Sequence, residues 1–423
     1  MRMARNKLDC NSALSPHACS VNMVDGVDAV WRYSGTDDDD AAAPSVSSST
    51  ALARERTPAR RRAAGAARHA LRRVHVLAVV VDVARQRRAA TIIIDALCGR
   101  RHFSRARMTA AAAPIGFLGA GIMGAAMART LARAGAHVML WNRSADKAQR
   151  VRDAFASCDD AFAKNGGRVS VATCASDVGE ACDVTFAMLS DPRASAAVVT
   201  AFARGLERRN DRRGAACYVD SSTVDGASGE ASREVITAGG GEFLSAPVSG
   251  GWRDAAKGEL LFIAGGSKAA YDAAAASMGV MGSKTWFVGD TPTHAARAKL
   301  MLQVMMGNVV GALGEMVSLS GRAGLDQNMV LEMLSHSAMG SPLTTAKGKL
   351  MVAKDFSPNF QVYLQQKDLR LALALADELD FAAPITAATN AQYVRAKALG
   401  HANSDFAAVA AAYDAAVTGA KKH

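Results

Sequence analysis

The sequence predicts an α/β domain followed by an all-helical domain, with a long helix joining the two. From Pro114 to about residue 290, short apolar runs typical of strands alternate with helical stretches, which favours a parallel sheet wrapped by helices. Beyond Thr291 the strand-like runs stop and only helical stretches follow. The chain of 423 residues is long enough for two domains with sizeable cores, and half of it is hydrophobic, as in globular proteins.

The periodicity and the length of each apolar run predict whether it forms a strand or a helix. The predicted strands are Ile115–Leu118, Val138–Asn142, Val184–Leu189, Tyr218–Ser221, Leu260–Ala264 and Trp286–Val288. The predicted helices are Ala125–Ala134, Ala295–Leu319, Asn328–Ser337, Leu364–Leu379 and Ile385–Leu399. We expect domain bounds of 113–290 and 291–420. The long apolar helix contains Gln303 and Asn308, so we interpret it as a buried helix and predict no membrane span.

Residues 1–107 form an extension without a sustained helical or strand period. Arginine clusters such as Arg60–Arg62 and a serine-rich patch are typical of an organelle transit segment. The acidic run Asp37–Asp40 is untypical of one, so a translation start at Met108 and a disordered tail remain alternatives. We expect a chloroplast or mitochondrial location if the segment is a transit peptide, and a cytoplasmic one otherwise.

The basic charge belongs to the extension. The formal net charge is +11, but residues 51–107 alone carry 15 basic and 3 acidic side chains. The rest of the chain from Met108 is close to neutral, which gives no electrostatic basis for nucleic-acid binding. The seven cysteines form no Cys-x-x-Cys pair and have no zinc-ligand spacing with histidine, so we predict free thiols and no metal site.

A glycine-rich turn follows the first predicted strand, and a helix follows the turn. In Gly119-Ala120-Gly121-Ile122-Met123-Gly124, the glycines allow a tight turn, close approach of a diphosphate and close helix packing. The start of the helix offers unpaired N–H groups to phosphates. Because strand, turn, helix and next strand occur in order, the segment indicates a Rossmann domain that binds a dinucleotide; a glycine-rich loop without a ligand is the alternative.

The end of the second strand predicts which dinucleotide binds. NAD-dependent enzymes usually place an acidic residue there, to bind the ribose 2′-hydroxyl. This sequence has Asn142-Arg143-Ser144 instead. A guanidinium beside amide and hydroxyl groups suits a 2′-phosphate, so we predict NADP(H), although Arg143 could also be an exposed arginine at a turn.

Several separate segments resemble the β-hydroxyacid dehydrogenase family, and within it the plant-type glyoxylate/succinic semialdehyde reductases. The segments are Gly116 to Gly124, Trp141-Asn142-Arg143-Ser144, Met188-Leu189-Ser190-Asp191-Pro192, Asp220 to Asp225, Ala246 to Gly251, and Gln365 to Leu375. The resemblance covers about Ile115 to Ala411. It implies a Rossmann domain and an all-α C-terminal domain linked by a long helix, as in 6-phosphogluconate dehydrogenase.

The resemblance also assigns substrate-site roles. In Pro247-Val248-Ser249-Gly250-Gly251, a hydroxyl and successive N–H groups suit a substrate carboxylate, though an ordinary tight turn has the same composition. Lys299 matches the family lysine that protonates the carbonyl oxygen during reduction. A lysine at a helix start is usually solvated, but apolar neighbours favour burial here. The family has asparagine four residues later, whereas this sequence has Gln303.

Six further positions carry over by resemblance. Phe360 would form a wall of the substrate pocket, and Asp368 would lie in the active site beside Lys367, which would reach the cofactor. Thr223 would contact substrate or nicotinamide, and Met188 and Leu189 would contact the cofactor. Each has an ordinary alternative: a core phenylalanine, charges at a helix start, or a helix N-cap.

The resemblance implies NADPH-dependent reduction of glyoxylate and succinic semialdehyde by a homo-oligomer, a dimer or tetramer assembled through the C-terminal helices. An oxidative 3-hydroxyisobutyrate-type dehydrogenase is an alternative, which Arg143 disfavours. A non-catalytic nuclear scaffold is another, because the family includes members that keep the Rossmann domain and lack the lysine. The presence of Lys299 disfavours it.

Overall fold

The computed structural model describes residues 113–157, 166–209 and 215–415. The expectations for the extension, residues 1–107, lie outside the described residues. The strands are β1 Ile115–Leu118, β2 His137–Trp141, β3 Arg168–Val171, β4 Val184–Ala187, β5 Cys217–Asp220, β6 Glu242–Ser245, β7 Val248–Ser249, β8 Leu260–Gly266 and β9 Gly282–Gly289. The sequence did not predict β3, β6 and β7.

The strands form one sheet in the order β3-β2-β1-β4-β5-β6-β8-β7, with β9 also paired to β8. The first six strands are parallel, but β8 runs antiparallel to both β6 and β7. The expectation of a parallel sheet is therefore wrong at this edge. The segment between β7 and β8 contains only a short helix, and a parallel crossover needs roughly a dozen residues or more.

Helices cover the sheet in the α/β half: α1 Ile122–Arg133, α2 Ala145–Ala156, α3 Ala175–Ala181, α4 Pro192–Leu206, α5 Gly226–Ala238, α6 Trp252–Lys257 and α7 Lys268–Met281. The strand β1 is buried along its whole length, which explains its unbroken apolar sequence. Two apolar cores lie in this half, and Phe117 and Phe186 on adjacent strands share one of them. The carboxyl ends of β1, β4 and β5 lead into the loops that line the site below.

The remaining helices form the second half: α8 Pro292–Arg322, α9 Gln327–His336, α10 Pro342–Ala353, α11 Val362–Glu378, α12 Pro384–Ala396 and α13 Ala410–Asp414. A π-helical turn at Lys397–His401 and a 3-10 turn at Phe406–Val409 separate the last two. The sequence did not predict α10, although its Ser341 side chain accepts a hydrogen bond from the Thr344 N–H (3.1 Å), as an N-cap does.

The helix α8 joins the halves. It has 31 residues, which at a rise of 1.5 Å per residue gives a length of about 46 Å. Its first turns lie against the sheet, where a Cβ at Gly265 would lie 3.1 Å from the Ala295 Cβ, and later Val310 and Leu313 enter the core of the helical half. Lys299 lies about two turns inside the helix and not at its start, because the helix begins at Pro292.

Among the described residues, α8 is long and apolar enough to cross a membrane by length and composition. Its packing favours another role, because the buried Lys299 and Gln303 lie on it and elements of both halves pack against it. We therefore interpret α8 as a core helix.

Candidate active site

A cavity of about 560 Å³ lies where the α/β and helical halves meet. It combines residues of the glycine-rich turn, the loops after β4, β5 and β7, and helices α8, α10 and α11. The predicted site residues that line it are Gly121, Ile122, Met123, Gly124, Met188, Leu189, Thr223, Ser249, Gly250, Gly251, Lys299, Gln303, Phe360, Lys367 and Asp368. The fold therefore brings together residues separated by about 250 positions.

The glycine-rich turn fits a dinucleotide because its backbone leaves no room for side chains. Gly119 has a φ of +108°, and a Cβ there would overlap the Met188 carbonyl oxygen. A Cβ on Gly124 would overlap the Gly119 carbonyl oxygen. By contrast, a Cβ on Gly121 would meet nothing within 4 Å, and no side chain caps the N-terminus of α1. An uncapped helix start beside open space suits a diphosphate.

Asn142, Arg143 and Ser144 do not line the cavity. The Asn142 side chain accepts a hydrogen bond from the Ala120 N–H (2.9 Å) and donates one to the Ser144 carbonyl (2.9 Å). It thereby holds the glycine-rich turn against the end of β2, a local structural role that the sequence prediction lacked. Arg143 and Ser144 are exposed directly after β2.

Met188 and Leu189 lie in a loop and not on a strand as predicted. The strand β4 ends at Ala187, and the Leu189 N–H then donates to the Ser222 hydroxyl (2.9 Å) across the loop after β5. Since this N–H bonds outside the sheet, the strand ends there and the loop turns towards the cavity. Ser190 and Ser221, which the sequence prediction did not include, also line the cavity.

Four side chains in the lining of the cavity form one hydrogen-bonded network. The Lys299 ammonium donates to Gln303 Oε1 (2.7 Å), and the Gln303 amide donates to the Asp368 carboxylate. Asp368 also pairs with the Lys367 ammonium (2.9 Å). Lys367 donates in addition to the Thr223 carbonyl, which ties helix α11 to the loop after β5.

Burial has the largest effect on the pKa of Lys299, and two members of the hydrogen-bonded network, Asp368 and Lys367, act on it as well. The side chain is buried, with the residue only 5% exposed. Desolvation lowers its pKa from 10.5 to about 8, while Asp368 raises it and Lys367 lowers it further. A lysine with such a pKa is protonated at neutral pH and releases its proton readily. Gln303, longer than the family asparagine, separates the ammonium from a direct ion pair with Asp368.

The turn after β7 differs from the predicted anion nest, meaning the Ser249 hydroxyl and the successive N–H groups that would bind a substrate carboxylate. Gly250 has a φ of +125°, which glycine adopts readily, and the Ser249 side chain lines the cavity. However, the Gly251 N–H donates to Asp254 Oδ2 (2.6 Å). The nest is therefore smaller than predicted, and a carboxylate of the protein lies beside it. Asp254 makes this hydrogen bond because it lies three residues on, in the first turn of α6.

The opposite wall contains residues that the sequence analysis did not select, namely Lys347, Asn359 and Tyr363. Asn359 directly precedes Phe360, and its Oδ1 would lie 3.6 Å from a Cβ at Gly251. Phe360 contacts Phe406 edge-on, with ring centroids 5.5 Å apart. No local motif marks these positions, because helices distant in sequence bring them together. Among the described residues, no cluster could hold a metal ion.

Comparison with known proteins agrees with this arrangement. The profile of the NAD binding domain of 6-phosphogluconate dehydrogenase matches residues 114–289. The profile described as NAD-binding of NADP-dependent 3-hydroxyisobutyrate dehydrogenase matches residues 294–413. A 3-hydroxyisobutyrate dehydrogenase structure from Salmonella typhimurium superposes with a TM-score of 0.61 at 24% identity, covering 71% of this chain and 99% of its own, which is a likeness of fold.

Two Arabidopsis thaliana proteins are similar in sequence. Glyoxylate/succinic semialdehyde reductase 2, chloroplastic, is 37% identical over 71% of this chain and 80% of its own length. Glyoxylate/succinic semialdehyde reductase 1 is 36% identical over 70% of this chain and 96% of its own length. The human cytokine-like nuclear factor N-PAC is 34% identical over 71% of this chain, but only 51% of that protein is matched.

Fold and site together define an NAD(P)-dependent oxidoreductase that acts on hydroxyl or aldehyde groups, with NADP(H) as the cofactor that the family profiles support. The chain belongs to the β-hydroxyacid dehydrogenase family, in the group of the plant-type glyoxylate/succinic semialdehyde reductases. The family predicted from the sequence is thereby confirmed, as is the fold class.

Proposed function

We propose that the protein reduces small aldehyde acids, glyoxylate to glycolate and succinic semialdehyde to 4-hydroxybutyrate, with NADPH. The observation that carries this proposal is the buried Lys299, hydrogen-bonded to Gln303 in a cavity that begins at the glycine-rich turn. When bound, NADPH supplies a hydride to the aldehyde carbon. The names of the two Arabidopsis relatives support the choice of substrates.

Residues of this chain supply the proton that the reduced aldehyde oxygen takes up. The Lys299 ammonium donates a hydrogen bond to the aldehyde oxygen and transfers its proton there as negative charge develops. Burial favours this transfer, because desolvation already holds the pKa of Lys299 at about 8. Gln303 holds the ammonium in place, and solvent protonates the neutral amine again after product leaves. Ser249 and the Gly250 backbone orient the substrate carboxylate where it lies beside the reacting carbon, as in glyoxylate, and Phe360 limits the space around the carbon chain.

We assign cofactor binding to the wall of the cavity that the α/β half forms. The N–H groups at Gly121, Ile122 and Met123 would hold the diphosphate, with Met188 and Leu189 against the nucleotide. Arg143, exposed at the end of β2, would pair with the 2′-phosphate, and Asn142 would keep the turn in the required shape. Lys367 would position the loop that contains Thr223 beside the nicotinamide.

Steady-state kinetics test the proposal. Residues 108–423 should reduce both glyoxylate and succinic semialdehyde with NADPH, and more weakly with NADH. The reverse assay, 3-hydroxyisobutyrate oxidation with NAD⁺, tests the 3-hydroxyisobutyrate-type alternative, and it should be the slower reaction. Turnover of 3-hydroxyisobutyrate with NAD⁺ that exceeds both reductions would contradict the proposal, and no turnover at all would favour a scaffold like N-PAC.

We further propose that the protein is a homo-oligomer through its helical half. Among the described residues, the large apolar side chains that are more than half exposed all lie in this half, for example Met305 (65%), Leu319 (64%), Phe381 (67%) and Ile385 (70%). Such exposure is typical of a surface that another subunit covers. Light scattering of purified protein should give a dimer or tetramer, and a monomer at micromolar concentration would contradict the proposed homo-oligomer.

The chloroplastic Arabidopsis relative supports an organelle location if residues 1–107 act as a transit peptide.

A further inference from the structure

A second buried lysine lines the same cavity as Lys299. Lys347 lies on α10 and is 6% exposed, and its ammonium contacts both Asp405 oxygens, at 2.8 and 2.9 Å. It also lies 4.4 Å from the centre of the Phe406 ring. A buried charge is costly unless it is paired, and Asp405 supplies that partner. The ion pair alone does not account for the position of Lys347 in the lining of the cavity.

Asp405 shares its charge among several donors. Besides Lys347, its oxygens accept hydrogen bonds from the N–H groups of Ala407 (3.0 Å) and Phe360 (3.3 Å). The carboxylate is therefore fixed, and its charge is distributed over the 3-10 turn and the segment before α11. An ammonium has three N–H donors. Two of those of Lys347 reach Asp405, which leaves one for a ligand in the cavity.

Apolar side chains line the same cavity as the two lysines. On α8, Lys299, Gln303 and Met306 follow one another on one face and all line the cavity. Met306 lies about 10 Å along the helix axis from Lys299, at 1.5 Å per residue.

On α10, Leu343 lies one turn before Lys347, and both line the cavity. Phe406 lines it as well. This lining suits a short methylene chain that leads from the reacting carbon to an anionic end.

The turn at Ser249 is less suited to such an anion, because the Asp254 carboxylate already occupies the Gly251 N–H. We propose that Lys347, held by Asp405, is an anion subsite that binds the far carboxylate of aldehyde acids whose two functional groups are separated by methylene groups. The proposal rests on the proposed function, since it identifies which substrates of the same cavity are preferred. Succinic semialdehyde and its five-carbon homologue belong to this class, and glyoxylate does not.

The test compares substrate chain lengths. Lys347→Met combined with Asp405→Asn removes both charges of the pair and so avoids an unpaired buried carboxylate. Lys349→Met is the matched control, because Lys349 lies on the same helix and is exposed. The measurement is kcat/KM for glyoxylate, succinic semialdehyde and 5-oxopentanoate, with thermal melting to verify folding.

We expect the double variant to lower kcat/KM for the four- and five-carbon acids, relative to glyoxylate, by about 10- to 100-fold, the range for a charge-assisted hydrogen bond. The control should keep the wild-type ratios. An equal loss for all three substrates, or an unchanged ratio, would overturn the proposal, because a purely structural ion pair does not distinguish chain lengths. Lys347→Gln, which retains a donor for Asp405, repeats the test if the double variant does not fold.

A binding measurement separates this proposal from the proposed function. Calorimetry of 4-hydroxybutyrate and of the uncharged 1,4-butanediol, with NADP⁺ present, should show a preference for the acid that falls at least about tenfold without Lys347. If the wild type binds the acid through Lys347 but reduces neither aldehyde, the proposed function fails and the subsite holds. If it reduces both aldehydes and the Lys347 variants keep the substrate ratio, only the subsite fails.

Discussion

The two walls of the cavity are built from different chemical groups. The α/β wall presents glycine backbone, at the glycine-rich turn and at Gly250 and Gly251 after β7. The helical wall presents buried lysine and aspartate side chains, among them Lys299, Lys347 and Asp368. Binding a large anion requires many N–H groups and no intervening side chains. Desolvation of the ammonium favours proton transfer from it, and the packed helices of this wall desolvate Lys299.

This difference predicts which substitutions each wall tolerates. Substitutions that add atoms should impair the α/β wall, whether or not they change its charge. Substitutions that remove a charge should impair the helical wall, whether or not they change the volume of the side chain. Four experiments examine the comparison, beginning with the largest expected effect.

Lys299→Ala should lower kcat by at least about 10³-fold, because proton transfer and alkoxide stabilisation each contribute roughly 10²- to 10³-fold. NADPH affinity, measured by fluorescence titration, should remain, since the glycine-rich turn lies on the other wall. The exposed Lys349→Ala serves as the control and should keep wild-type turnover. A Lys299 variant with more than a tenth of wild-type kcat would remove this lysine from the mechanism.

Arg143→Ala should raise the KM for NADPH about 10- to 100-fold, because a charge-assisted contact to the 2′-phosphate contributes roughly 1.5–3 kcal/mol. The KM for NADH should hardly change, since NADH has only a hydroxyl there. Adding Asn142→Asp should favour NADH further, although Asp cannot donate to the Ser144 carbonyl as Asn142 does. Equal effects of Arg143→Ala on both cofactors would mean that the arginine is structural.

Two glycines of the same turn should respond differently to alanine. Gly121→Ala meets open space, so stability should be unchanged, while the NADPH Kd should rise about tenfold because the methyl group occupies space needed for the diphosphate. Gly124→Ala overlaps the Gly119 carbonyl oxygen and should lower the free energy of unfolding by about 1–3 kcal/mol. Denaturant melts and NADPH titrations measure the two effects. Equal stability losses would refute the distinction.

The pH dependence should report the protonation of Lys299. Reduction requires the ammonium, whose pKa burial lowers to about 8. The kcat/KM for the aldehyde should therefore be constant below pH 8 and fall about tenfold per pH unit above it. Asp368 raises this pKa, so Asp368→Asn should move the profile to lower pH. A profile that stays flat to pH 10 would exclude Lys299 as the proton donor.

The sequence predicted the elements with local signals. The strand, glycine-rich turn and helix at Ile115–Gly124 follow the motif, and the long apolar run predicted α8 to within three residues at each end. The edge of the sheet was not predicted, because β7 has two residues and β3 begins with an exposed arginine. The strand β7 is too short to show an apolar run or an alternation, and β3 alternates polar and apolar residues over only four positions, which is a weak signal for a strand.

The residues of the candidate site also fall into two groups, those that the sequence predicted and those that it did not. The residues that line the cavity from the glycine-rich turn have a motif, and Lys299 was found by resemblance. The pairing of Gln303 with Asp368 joins helices 65 positions apart, and that of Lys347 with Asp405 joins residues 58 apart. Such contacts depend on how helices pack, for which one sequence offers no local pattern. The same applies to Asp254, whose hydrogen bond to Gly251 reduces the anion nest.

The helix α8 also determines how the molecule loses its structure. Its first turns are fixed to the α/β half, where Thr293 donates to Glu230 (3.0 Å), and its last turns are fixed to the helical half, where Gln327 donates to the Val317 carbonyl (2.7 Å). Neither half can melt without exposing one side of this helix. Scanning calorimetry should therefore record a single heat-absorption peak, and a protease cut within α8 should release two fragments that no longer stay folded.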